Sequence, residues 1–178
     1  LGLGDPLENK HEPTRVVPFS DWLSVSAGYA HTLGIRSDGS LWAWGSNGYG
    51  QLGIIAQPGL AALPVPVAQG STWGQVAAGG KHTLGIQTDE SLWAWGNNDY
   101  GQLGLGDTLQ DYFGPTRVGS FSDWVSVSAG YVHTLGLRSD GCLYAWGNNV
   151  YGQLGLGDTE DRHEPTLIPS SCPALTGA

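Results

Sequence analysis

Trp22-Leu23-Ser24-Val25-Ser26-Ala27 alternates large apolar and small side chains and stops at Gly28, the signature of a half-buried strand. His31–Gly45 (HTLGIRSDGSLWAWG) carries two further runs around Ser37-Asp38-Gly39-Ser40, which predicts a hairpin. SNGYGQLG follows as a glycine-punctuated loop. PTRVV (Pro13 to Val17) and PTRVG (Pro115 to Gly119) predict a short outer edge strand, where proline is tolerated. The pattern predicts about four strands per unit, and helical periodicity is absent.

The unit recurs. His31, His82 and His133 stand 51 residues apart, as do Trp22, Trp73 and Trp124, then Trp44, Trp95 and Trp146, then Gln51, Gln102 and Gln153. A fixed period of this size with four strands per copy predicts propeller blades. The fold class is all-β, with blades of about four antiparallel strands. The register divides the chain into residues 1–18 (the outer part of a preceding blade), repeats at 19–69, 70–120 and 121–168, and a tail at 169–178.

Composition narrows the reading. Of the 178 residues 29 are glycine and 8 tryptophan, which suits many tight turns between aromatic-rich strands. A net charge of −9 with 7 Lys+Arg disfavours nucleic acid and anionic membranes as partners. Cys142 and Cys172 follow no metal or redox spacing, and their pairing stays open. No apolar run reaches the ~18 residues of a spanning helix, and no signal-peptide pattern opens the chain. Met is absent, so Leu1 is not expected to start a primary translation product.

The string V-S-A-G-x-x-H-T-L-G-[IL]-x-[ST]-D-x-x-L-[WY]-A-W-G-x-N-x-Y-G-Q-L-G resembles the repeat of the regulator of chromosome condensation family. The resemblance covers all but about the last ten residues. It implies a seven-bladed propeller, about twice this length, so three and a half units imply an unclosed ring with bare strand edges. The expectation is self-association into a homo-oligomer, or strand exchange in which one copy's amino-terminal outer strand fills the last blade of another. Family functions range from nucleotide exchange to ultraviolet sensing and ubiquitin-ligase accessory roles. The ultraviolet-sensing pattern G-W-R-H-T is not kept: Tyr29-Ala30, Gly80-Lys81 and Tyr131-Val132 replace its tryptophan and arginine.

His31, His82 and His133 precede Thr-Leu-Gly in every copy and are read as buried structural imidazoles rather than metal ligands, since copying gives each the same role. Trp44, Trp95 and Trp146 are read as wedges between blades. Asp38, Asp89 and Asp140 belong to hairpin turns, and Asp5, Asp107 and Asp158 to turns after L-G-L-G. The groups Glu8/His11/Glu12 and Asp158–Glu164 match no calcium-loop spacing.

No nucleophile elbow, phosphate loop or H-E-x-x-H motif is present, and no catalytic residue, cofactor or metal is assigned. The second unit departs most from the repeat, with an apolar stretch from Leu60 to Val67 read as a loop. Leu60, Leu63 and Val65, together with Tyr29, Lys81 and Tyr131 just before the histidines, form the candidate interaction surface. The expected function is a non-enzymatic scaffold for an unidentified protein partner or for self-assembly. The alternatives are a nucleotide-exchange factor or a glycan-binding propeller.

Overall fold

Alternating side chains give each strand two usable faces, so these sheets bury apolar surface by stacking on one another. The computed structural model describes residues 1–4, 9–16, 18–55, 59–169 and 171–172. β1 (Trp22–Ala27), β2 (His31–Arg36), β3 (Leu41–Ser46) and β4 (Leu60–Val67) form the first sheet. β5 (Trp73–Ala78), β6 (His82–Gln87), β7 (Ser91–Gly96) and β8 (Tyr112–Ser122) form the second. β9 (Trp124–Ala129), β10 (His133–Arg138), β11 (Leu143–Gly147) and β12 (Arg162–Leu167) form the third. Each sheet runs in chain order with antiparallel neighbours, the build of a propeller blade, and the described residues contain no helix. Three blades leave the ring incomplete.

The cores lie between sheets. Leu33, Ile35 and Leu41 of the first sheet meet Trp73, Val76 and Trp95 of the second. Leu84, Ile86 and Leu92 of the second meet Trp124, Val127 and Trp146 of the third. Each junction therefore joins an aliphatic face to a tryptophan face. Period two explains the division: Leu33 and Ile35 point one way, Thr32 and Gly34 the other. Gly85 is needed on the tryptophan face, because a Cβ there would fall 2.4 Å from Trp73 Cζ3.

Three expectations change and one open question closes. Residues 13–16 lie outside any strand and run beside Leu1, Leu3 and Trp44, and Val17 lies outside the described residues. They pair with no sheet among the described residues. Leu60–Val67 is not a loop but β4, whose prolines 64 and 66 sit on an edge strand. The third sheet already holds its fourth strand, since β12 pairs with β11, so the place the expectation gave to another copy's amino-terminal strand is filled by the chain itself. Cys142 and Cys172 form a disulfide. It ties the segment after β12 back to the β10–β11 turn, where Leu143 N–H also donates to Ser171 Oγ at 3.1 Å.

Candidate functional site

Three sets of groups are candidates, two facing solvent and one buried between the sheets. The first is an aromatic pair where the β1 and β9 strands end. Tyr29 N–H donates to the Gly79 carbonyl (3.2 Å) and Gly80 N–H to the Tyr131 carbonyl (3.1 Å), drawing three loops together. The Tyr29 and Tyr131 rings meet edge to face at 5.8 Å. Gly80 permits this, because a Cβ there would lie 2.5 Å from the Tyr131 carbonyl. Tyr29 and Tyr131 remain 75% and 57% exposed.

Lys81 turns away to Tyr49. Its ammonium donates to the phenol oxygen at 2.9 Å and lies 4.0 Å from the ring centroid. That hydrogen bond raises the Lys81 pKa, so the ammonium stays charged. Leu60 and Leu63 are exposed on β4, with Val65 half-buried and packed against the first core. The structure thus pairs Tyr29 with Tyr131, engages Lys81 elsewhere, and puts the leucines on the outer strand.

The outward faces of the first and third sheets are the second set, and sequence reasoning did not single them out. On the first sheet Trp22 and Trp42 are half-buried and Val25 is exposed, around a groove of about 360 Å³ lined by Phe19, Trp22, Val25 and Trp44. On the third sheet Leu135, Leu137 and Leu143 are half-buried. These are a tryptophan half and an aliphatic half of a core that is not completed among the described residues. The 51-residue register could have found them by asking which columns lack a neighbour.

The histidines form the third set. His31 Nε2 lies 3.0 Å from Thr83 Oγ1, and His82 Nε2 lies 3.2 Å from Thr134 Oγ1. Both threonine hydroxyls donate onward, to the Gln51 and Gln102 carbonyls at 2.7 and 2.8 Å. The threonine oxygen therefore accepts from the imidazole, which fixes a neutral ring protonated at Nε2. Burial lowers the His31 pKa to about 4 and the His82 pKa to about 3. Each ring packs on a glycine, and a Cβ at Gly79 would fall 2.3 Å from His82 Cε1. Among the described residues no group of three or more His, Cys, Asp or Glu is placed to hold a metal ion. Glu8 and Asp5 lie outside the described residues.

Comparison with known proteins places these features. Residues 38–86, 89–137 and 140–173 match the Regulator of chromosome condensation (RCC1) repeat, and a second profile of the same description matches 22–51, 75–102 and 124–153. The chain is 36% identical over 173 residues to the Ultraviolet-B receptor UVR8 of Arabidopsis thaliana, covering 94% of this chain and 39% of that protein. It is 32% identical over 176 residues to the Probable E3 ubiquitin-protein ligase HERC6 of Homo sapiens, covering 94% of this chain and 17% of that protein. Among solved structures it resembles Prp20p of Saccharomyces cerevisiae, described with its binding to Gsp1p and histones, at TM-score 0.73 and 26% identity, covering 82% of this chain and 37% of that one. It also superposes on yeast RCC1 (Prp20) bound to Kap60 at TM-score 0.81 and 24% identity, covering 94% and 42%. The chain spans less than half the length of each.

Proposed function

The chain belongs to the regulator of chromosome condensation repeat family, and we propose that it works as a non-catalytic propeller scaffold that binds protein surfaces, foremost other copies of itself. The observation that carries this reading is the pair of unmatched half-cores: Trp22, Val25 and Trp42 on one outward face, Leu135, Leu137 and Leu143 on the other. Apolar faces of this size in water favour burial against a partner. The described binding of Prp20p to Gsp1p and histones supports protein partners as the class. Near-identical histidine and tryptophan columns support shared structural work in all three blades rather than one specialised centre.

Light scattering of the full chain over a concentration series tests the reading. The expected result is a mass that climbs above the monomer with concentration. A constant monomer mass up to high concentration overturns self-association.

A further inference from the structure

Aromatic rings at the ends of the blades carry cations in this fold. The Arg36 guanidinium lies 4.4 Å from the Phe19 ring centroid, Arg138 lies 3.8 Å from that of Phe121, and Lys81 lies 4.0 Å from that of Tyr49. Each of these cations is also held by a hydrogen bond, Arg36 to Asp21, Arg138 to Asp123 and Lys81 to the Tyr49 hydroxyl. Tyr29 and Tyr131 are mostly exposed, and among the described residues no cation lies over either ring.

Their corner belongs to the middle of the chain and to one copy's departure from the repeat. Gly80 stands in the second copy where Tyr29 and Tyr131 stand in the others, so two rings frame a space that a third would fill. The result is a shallow cleft of about 300 Å³ whose floor is glycine and alanine, including Gly28, Gly79 and Ala129. Edge-to-face packing leaves ring faces open, and a ring face is the negative part of an aromatic side chain. The three turns share one end of the stack with the β3–β4, β7–β8 and β11–β12 loops, because neighbouring strands are antiparallel. Those turns and loops contain Asp99, Asp107, Asp111, Asp158, Glu160 and Asp161 against one base, Lys81, which is already engaged by Tyr49. Arg162, which opens β12, is taken up by Asp158 at 2.6 Å. This end of the molecule therefore attracts cations and holds an aromatic corner without one.

We infer that the Tyr29–Tyr131 corner receives a lysine or arginine side chain from a basic segment of a partner protein, with flanking basic residues meeting the acidic loops. The inference rests on the scaffold's binding of protein surfaces proposed above, and not on its self-association. The backbone bonds from Tyr29 to Gly79 and from Gly80 to Tyr131 hold the corner in place before a partner arrives, so little ordering is left to oppose binding. Blades stack on sheet faces, whereas this corner is built at turn tips by three blades of the chain itself. A neutral or acidic segment would gain nothing from the six carboxylates.

Fluorescence anisotropy with a fluorescein-labelled peptide of alternating lysine and glycine tests this on the full chain at one fixed ionic strength. The peptide should bind, and the same peptide with its lysines acetylated should not. Tyr131→Leu should weaken binding about fivefold or more, while Tyr131→Phe, which keeps the ring, should stay within about twofold of the unaltered chain. Tyr29→Leu removes the other ring and is the second variant should Tyr131→Leu lower the melting temperature. Tyr151→Leu removes a single exposed ring from the same end and should change nothing. No binding of the lysine peptide overturns the inference. So does binding that the leucine variants keep in full, which would mark diffuse attraction to a net charge of −9. Light scattering reads self-association separately: a mass that climbs without peptide binding overturns this site alone, and a monomer that binds the peptide through both tyrosines overturns self-association alone.

Discussion

Val25 and Val76 occupy the same place in successive copies of the repeat, yet Val25 is 66% exposed and Val76 6%. Trp22 and Trp73 differ in the same sense, as do Leu135 and Leu84 from the other side. The residues are alike, so the difference lies in what is stacked on them. Stability in this fold is a property of junctions between sheets more than of sheets, as expected for a one-dimensional stack of repeats. An outward face holds the same groups as a junction, unspent.

The comparison breaks most sharply at the tryptophans. Trp95→Ala removes a fully buried side chain from the first core and should cost about 3–5 kcal/mol in urea unfolding, whereas Trp22→Ala on the outward face should cost less than half as much. Next comes the brace on the third sheet. Replacing Cys142 and Cys172 together by serine opens a loop of 30 residues' separation and should cost about 2–4 kcal/mol, read as a lower melting temperature.

Acid should then separate buried from outward histidines. The folded pKa values of His31 and His82 are held near 4 and 3, below the ordinary 6.5. Above pH about 6.5 both states are neutral and nothing is lost; as pH falls below it the unfolded chain takes up protons first. Stability should therefore decline between pH about 6.5 and 3, with a loss on the order of 6 kcal/mol already reached by pH about 4. His31→Gln should flatten that slope more than His133→Gln, whose ring is only half-buried. The smallest effect is at the second hairpin, where Glu90 adopts φ 63° in the place that Gly39 and Gly141 fill at 78° and 81°. Glu90→Gly should gain about 0.5–1 kcal/mol in the same unfolding assay.

Much of this architecture is legible in the chain. Trp22–Ala27 and the His31–Gly45 hairpin read correctly because period-two alternation and an Asp-Gly turn are local signals. Leu60–Val67 misread as a loop because Pro64 and Pro66 weaken a strand signal that pairing with β3 overrides. Residues 13–16 misread the other way: they carry strand-like residues, but a strand needs a partner, and pairing is not local. The candidate site follows the same line. Tyr29 and Tyr131 stand 102 positions apart in sequence, and only the curvature of the stack joins them across Gly80. The histidine–threonine clasp needs a pairing 52 residues away that no single unit displays.

Leu137→Asp tests the central claim most directly, because it places a charge on the aliphatic outward face and leaves both interior junctions untouched. Sedimentation velocity should show a folded monomer at concentrations where the unaltered chain associates. Association equal to that of the unaltered chain would contradict the account.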